Sequence, residues 1–129
     1  VIDRVRKEFG IAVVLITHDL GVVARMCSRV QVMYAGRTVE RGPIDELFAD
    51  PSHPYTRGLL ASLPRAGMDR LPPIAGFPPN MLAVPAGCAF HPRCEHAADV
   101  CRAALPELAA LGPLETACLR AGDISRRTS

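Results

Sequence analysis

Four cysteines lie close together in the last third of the sequence, with the spacing C-x5-C-x6-C-x16-C: Cys88, Cys94, Cys101 and Cys118. Four thiolates suit one tetrahedral metal ion or an iron–sulfur cube. His91 and His96 lie between these cysteines and are alternative ligands. The paired C-x2-C knuckles that mark zinc sites do not occur. The spacing alone therefore leaves open a metal or cluster, two disulfides, or unligated buried thiols.

His18 is a second candidate for chemistry, because it follows a run of apolar, mostly β-branched residues at positions 11–16. Such a run predicts a central parallel strand that is buried on both faces. Ligands of open α/β sheets bind beyond the carboxyl ends of the strands. An imidazole there can donate a hydrogen bond to a phosphate oxygen or orient a water molecule. The alternative is that His18 only caps the next helix or packs at the surface.

The pattern of apolar residues over positions 1–63 predicts alternating helices and strands, and these elements would position His18. One helical face carries Ile2, Val5 and Phe9 and stops at Gly10, where a C-cap glycine belongs. After residues 17–19, apolar side chains recur at helical spacing: Leu20, Val23, Ala24 and Cys27. Either Asp19 or Thr17 is the candidate N-cap of this helix. We therefore predict a second helix, with Cys27 as a core residue.

The next elements are predicted from turn and cap signals. Residues 30–34 and 37–40 predict two strands around the turn Ala35-Gly36. The pair Gly42-Pro43 predicts the start of a helix, and another helix is expected over residues 54–63. His53 precedes that helix without a second ligand at helical spacing, so we expect it to cap or to lie at the surface. The fold class is predicted as α/β, because strands and helices alternate.

A proline-rich stretch separates these elements from the cysteines. Six of the 12 prolines lie between residues 64 and 85, which disfavours regular structure there. We therefore predict three parts: an α/β part at residues 1–63, a linker at 64–87, and a small, cysteine-rich, mostly irregular extension at 88–129.

Composition excludes several classes of protein. The 15 Lys and Arg residues nearly balance the 13 Asp and Glu residues and form no basic stripe, so no nucleic-acid partner is expected. No apolar run approaches the roughly 20 residues that span a bilayer, so no direct membrane span is expected. An odd count of five cysteines disfavours a fully paired secreted scaffold.

A family resemblance adds to this interpretation. Residues 14–20, VLITHDL, resemble the switch-histidine segment of ABC transporter ATPases, and residues 30–37 and 40–43 resemble the strands and helix that follow it there. The resemblance implies that the chain contains the C-terminal remnant of an ABC-type ATPase domain, and that His18 reaches the γ-phosphate of ATP. It also implies an intact subunit that hydrolyses ATP with Mg²⁺. The phosphate-binding loop G-x-x-x-x-G-K-[ST] is not in this sequence. The Walker B and signature elements of the family would likewise precede His18, so we expect no ATPase activity from this chain alone.

Two further segments narrow the resemblance. Residues 52–60, SHPYTRGLL, resemble a marker of oligopeptide and dipeptide importer subunits and of related nickel importers. Residues 87–94, 101–102 and 117–118 resemble the C-terminal extension of the same subunits. Some members of that group hold a [4Fe–4S] cluster on four such cysteines. The resemblance thus implies a [4Fe–4S] cluster, with zinc as second choice, on these ligands: Cys88, Cys94, Cys101 and Cys118. Glu95 departs from the pattern, because the family often has Pro there.

The implied function is that of an ATP-binding subunit that powers peptide import across the bacterial inner membrane. Its implied partners are a second ATP-binding subunit, in a homodimer or heterodimer, and transmembrane permease subunits. Its implied location is peripheral, on the cytoplasmic face of the inner membrane. The alternative from another class is a non-enzymatic metal- or cluster-binding interaction module. The transported solute is left open, because a separate binding protein and the permease select it.

Overall fold

The computed structural model describes residues 1–64, 67 and 73–124. These residues form a four-stranded antiparallel sheet in the order β1-β2-β4-β3, with β1 at Arg29–Tyr34, β2 at Arg37–Pro43, β3 at Ala109–Leu111 and β4 at Leu114–Thr116. The helices among them are α1 Ile2–Phe9, α2 Leu20–Met26, α3 Ile44–Ala49, α4 Pro54–Ala61, a 3-10 helix His91–Arg93, α5 Asp99–Ala103 and α6 Ala121–Ile124. The predicted α/β class is confirmed.

The predicted hairpin is confirmed, and its turn explains its register. Ala35 and Gly36 have φ angles of 50° and 78°, both positive as a type I′ turn requires, and Tyr34 pairs with Arg37 across the turn. A β-bulge interrupts the pairing, because Val32 pairs with Glu40 whereas Met33 pairs with Thr38. One residue of β2 is therefore extra, and Val39 and Glu40 are both buried although they are sequence neighbours.

The cysteine-rich segment contributes half of the sheet. Strand β4 pairs with β2, with Thr116 opposite Glu40, and β3 pairs with β4. Gly42 lets the strands meet closely, because a Cβ there would lie 2.6 Å from Cδ2 of Leu114. Residues from both sides of the predicted linker thus share one sheet, while the boundaries 1–63, 64–87 and 88–129 stay a prediction.

One apolar core joins the sheet to helices α3 and α4. Its buried members come from residues 32–60 and from the cysteine-rich segment: Val32, Tyr34, Val39, Leu47, Leu60, Phe90 and Leu114. Helix α3 begins directly after Pro43, and α4 begins at Pro54, a position where the missing proline N–H costs no helical hydrogen bond. Both predicted helices are confirmed.

The beginning of the chain agrees with the prediction in its helices but not in its strand. Helix α1 ends at Gly10, which has a left-handed φ of 65°, and α2 is capped by Asp19, whose side chain accepts from the N–H of Val22. The prediction of a central parallel strand at residues 11–16 was wrong, since the structure has no regular element there. A doubly buried strand needs paired neighbours, and every strand described lies later in an antiparallel sheet. Cys27 is half-buried at the C-cap of α2, so the prediction of a core cysteine was also wrong.

The predicted linker is described only in part. Residues 65, 66 and 68–72 lie outside the described residues, and residues 73–87 contain no helix or strand. Arg93 holds the beginning of this second stretch, because its guanidinium donates to the carbonyls of Ile74 and Ala75 and to the hydroxyl of Tyr34. Arg93 therefore ties residues 74 and 75 to β1, and residues 73–87 lead to Cys88, the first of the four clustered cysteines.

Candidate four-cysteine site

The four cysteines of the sequence pattern line a single small cavity, together with three histidines: Cys88, Cys94, Cys101, Cys118, His53, His91 and His96. All five cysteines of the chain are free thiols. The cavity has a volume of about 10 Å³, which is room for about one water molecule. The set that the sequence singled out is thus brought to one place, which we name the cysteine cavity.

Backbone contacts bring the cysteines together. The N–H of Cys88 donates to the carbonyl oxygen of Cys101 at 2.8 Å. The residue before it, Gly87, has a φ of 71°, and a Cβ there would overlap that same carbonyl oxygen. Glycine is therefore required for this approach. A tight turn then carries the chain onward, because His91 N–H donates to the Cys88 oxygen at 3.0 Å and Cys94 N–H donates to the His91 oxygen at 3.2 Å.

Three of the four thiols lie where burial opposes their ionisation. Burial raises the pKa of Cys88 and Cys94, and the neighbouring thiols add to the effect. Burial, with a smaller contribution from the charges of the other three cysteines, raises the pKa of Cys118 to about 11. A cation that bound here would have to displace thiol protons, because the thiolate is the ligand.

The geometry does not describe a single-ion site. Among residues 1–64, 67 and 73–124, no group of three or more His, Cys, Asp or Glu side chains is arranged to hold one metal ion. A single zinc ion needs sulfurs at roughly 2.3 Å from one point. What the structure provides is a convergent set of thiols around a small space, rather than a preformed tetrahedron.

His53 forms one wall of the cysteine cavity and also caps helix α4. Its Nδ1 accepts a hydrogen bond from the N–H of Tyr55 at 3.0 Å, so the predicted capping role is confirmed. The residue is 1% exposed, however, rather than at the surface. Burial lowers the pKa of His53 to about 4, so the imidazole is neutral at pH 7. Its proximity to the cysteines was not predicted, because it depends on tertiary packing.

A fully buried carboxylate holds His53 in place. Glu40 accepts hydrogen bonds from the backbone N–H of Ser52 at 2.6 Å and of His53 at 3.1 Å, and its Oε1 also accepts from the hydroxyl of Thr116 at 3.3 Å. Burying an ionised carboxylate is unfavourable unless donors surround it. Glu40 therefore joins its own strand, β2, to residues 52–53 and to β4. Sequence reasoning missed this residue, because the bulge that turns it inward has no signature in the sequence.

His18 lies apart from any buried cluster. It is exposed in the irregular segment before α2, between Thr17, whose hydroxyl accepts from the N–H of Asp19, and Asp19, which caps the helix. The two neighbours of His18 are thus engaged in forming the helix start. The imidazole itself faces solvent and is accessible to a ligand.

Comparison with known proteins finds a family model and several relatives that this chain resembles. Residues 39–101 match the family model described as the oligopeptide/dipeptide transporter, C-terminal region. The chain is 47% identical over 114 residues to the oligopeptide transport ATP-binding protein OppD of Salmonella typhimurium, covering 87% of this chain and 34% of that protein. It is 48% identical over 107 residues to OppD of Escherichia coli, covering 81% of this chain and 32% of that protein. Residues 39–101 therefore resemble the C-terminal region of this transporter family, and the chain corresponds to the C-terminal part of the ATP-binding subunits that it matches.

Two facts limit what this similarity implies for the chain. The chain spans about a third of the length of the curated relatives it matches. Within the part of the chain that the structure describes, no helix has both the length and the apolar character to cross a membrane.

Proposed function

We propose that this chain forms part of an ATP-binding subunit that powers peptide import across the bacterial inner membrane by ATP hydrolysis. The observation that carries the proposal is the 47% identity to OppD of Salmonella typhimurium together with the family match over residues 39–101. The proposed partners are a second ATP-binding subunit and the transmembrane permease subunits. The proposed location is the cytoplasmic face of the membrane.

His18 is the proposed contact of this chain with ATP. Its exposed imidazole is available to donate a hydrogen bond to an oxygen of the γ-phosphate. Such a donor contributes most when negative charge develops on the transferred group, so it favours turnover more than ground-state binding. Mg²⁺ and the phosphate-binding loop belong to the intact subunit, where all these groups act together.

The proposed occupant of the cysteine cavity is a [4Fe–4S] cluster, with zinc as second choice. The donor set fits in type and number, because four unpaired cysteines surround one space: Cys88, Cys94, Cys101 and Cys118. The four cysteines would hold the cluster through their thiolates, so the sulfurs would not have to meet at the short distances of a single-ion site. The bound group would cross-link the turn after Gly87, helix α5 and the segment after β4, which stabilises a small unit.

A chimera tests the ATPase proposal. Residues 1–129 replace the matching region of OppD from Escherichia coli, and ATP turnover and peptide uptake are measured with the permease present. We expect activity in the chimera and a loss of about 100-fold in turnover on His18→Ala, with a much smaller change in ATP affinity. Glu8→Gln, an exposed change on α1, is the matched control and should leave turnover unchanged. Equal turnover in the two variants would contradict the role of His18.

Anaerobic reconstitution of the full chain with iron and sulfide tests the cluster. We expect acid-labile sulfide and a broad visible absorbance, which Cys101→Ser weakens and Cys27→Ser leaves unchanged. One equivalent of zinc without sulfide would favour the zinc site on the same ligands. A chimera that binds iron but shows no ATP turnover or uptake would instead favour the alternative of a non-enzymatic cluster-binding module.

A further inference from the structure

The imidazole of His53 contains a polar atom that the rest of the molecule leaves without a partner. His53 is 1% exposed and lines the cysteine cavity. Its Nδ1 accepts from the N–H of Tyr55, whereas its Nε2 is buried and has no hydrogen-bond partner among the described residues. Unpaired buried polar atoms are uncommon, because each loses its hydrogen bonds to water without a replacement. A group bound in the cavity would remove that cost if it presented an acceptor.

The capping hydrogen bond determines which nitrogen carries the proton. An Nδ1 that accepts a hydrogen bond has no proton, so in the neutral ring the proton is on Nε2. The unpartnered atom is therefore a donor, N–H, and not a lone pair free for a metal. His53 is accordingly not a fifth ligand but a hydrogen-bond donor beside the four thiols.

The position of this donor is fixed before anything binds. Glu40 holds the backbone N–H groups of Ser52 and His53, and the His53 ring lies against Phe90, with ring centroids 6.0 Å apart. A metal-bound thiolate or a cluster sulfide is a charged acceptor, and hydrogen bonds to such acceptors are roughly twice as strong as neutral ones. The natural partner of the His53 N–H is thus a sulfur of the bound group.

We propose that His53 is a positioning residue for the group held by the four cysteines, and that its Nε2–H donates a hydrogen bond to a thiolate or sulfide sulfur of that group. The proposal rests on the proposed cluster or zinc occupant. A hydrogen bond to sulfur stabilises the more negative, reduced form of a cluster, so the donor raises its reduction potential. In a zinc site the same bond would strengthen zinc binding.

Two substitutions separate the donor role of His53 from its capping role. His53→Asn keeps an acceptor at the position of Nδ1, which can cap α4, but does not reach the position of Nε2. His53→Gln extends an amide N–H toward the position of Nε2 but lacks the short capping acceptor. A purely structural role predicts that Asn resembles the wild type and that Gln is defective. The donor role predicts the reverse order in the redox measurement.

The decisive measurement is the reduction potential of the iron–sulfide-loaded full chain. We expect His53→Asn to lower the reduction equilibrium constant about tenfold, which is about 59 mV for a one-electron couple, at unchanged iron content. His53→Gln should retain most of the wild-type potential. An unchanged potential in His53→Asn would overturn the inference while leaving the cluster proposal intact. If the chain binds zinc instead, His53→Asn should lose 10- to 100-fold in zinc affinity, and unchanged affinity would overturn the inference.

The tautomer is tested without any bound group. Two-dimensional ¹H–¹⁵N NMR of the imidazole in the unloaded full chain should show the proton of His53 on Nε2. A proton on Nδ1 would overturn the inference whatever the cavity binds. A wild-type chain that binds neither iron with sulfide nor zinc would overturn both the cluster proposal and the role of His53.

Discussion

The N-terminal segment, residues 1–27, and the body, residues 28–64 and 73–124, differ in what they bury. The N-terminal segment buries only Val23 and exposes large apolar side chains, with Val14 at 90% and Ile16 at 94% of full exposure. The body encloses an apolar core and buries polar groups such as Glu40 at 0%. A buried polar group is tolerated only where its partners are fixed. The body therefore encloses the core, whereas the N-terminal segment contributes only the buried Val23 and the partly buried Leu20 that packs against that core.

Removing the central carboxylate of the body should have the largest effect. Glu40→Ala leaves two buried backbone N–H groups and a hydroxyl without their acceptor, so we expect a loss of about 3–5 kcal/mol in the free energy of unfolding. Urea unfolding followed by circular dichroism measures the loss. Glu115→Ala is the control on the neighbouring strand, because its ion pair with Arg41 is exposed and should contribute little. Similar losses in the two variants would contradict the central role of Glu40.

Acid should destabilise the body through His53. The pKa of His53 is lowered by burial from 6.5 to about 4, so between those values the unfolded chain binds a proton that the folded chain does not. Stability is then full above pH 6.5 and falls as the pH decreases toward 4, by about 3 kcal/mol. Urea midpoints across this range measure the slope. His53→Asn should flatten the slope, and an equally steep slope in that variant would assign the effect to other groups.

A pair of glycines compares the two regions directly. Gly87 in the body and Gly10 in the N-terminal segment both have positive φ angles, but only at Gly87 would a Cβ meet backbone atoms. We expect Gly87→Ala to cost about 2–3 kcal/mol, from conformational strain and overlap with Cys101. Gly10→Ala should cost about 1 kcal/mol from strain alone. Thermal unfolding measures both losses, and equal losses would show that the approach of Cys88 to Cys101 relaxes freely.

The smallest effect is expected in the N-terminal segment. Ile16→Thr should change the free energy of unfolding by less than about 0.5 kcal/mol, because the side chain is already exposed. Sedimentation of the same variant should show less self-association, since exposed apolar groups favour it. A stability loss comparable to that of a core substitution would mean that residues 11–16 pack in solution.

Sequence signals correctly predicted the elements whose structure depends on only a few neighbouring residues. The Ala35-Gly36 turn, Pro54 at the start of α4 and the C-cap at Gly10 each follow from backbone preferences of a few residues. Residues 11–16 were assigned wrongly because a buried strand depends on partners elsewhere in the chain. The burial of Glu40 depends on a bulge and on contacts more than 70 residues away, so no local pattern announces it.

The candidate site was likewise predictable from the sequence only in part. Spacing and residue type were sufficient to select the four cysteines as one set, because four of the five cysteines lie within residues 88–118. The placement of His53 beside them was not predictable. The residues around His53 indicate that it caps a helix, but they do not indicate which other part of the chain packs against it. The proposed ligation by the cysteines and the proposed phosphate contact of His18 stay predictions.

The contact between Glu40 and Thr116 spans 76 residues, and this separation has a consequence during synthesis of the protein. Strand β2 emerges from the ribosome long before β4, its partner in the sheet. At roughly 5–20 residues per second, about 4–15 seconds pass before Thr116 is made. During that interval β2, the edge strand of the hairpin, lacks its partner β4 and is available to bind a chaperone or another nascent chain. Strand β4 thus determines when the earlier hairpin of β1 and β2 becomes protected from aggregation.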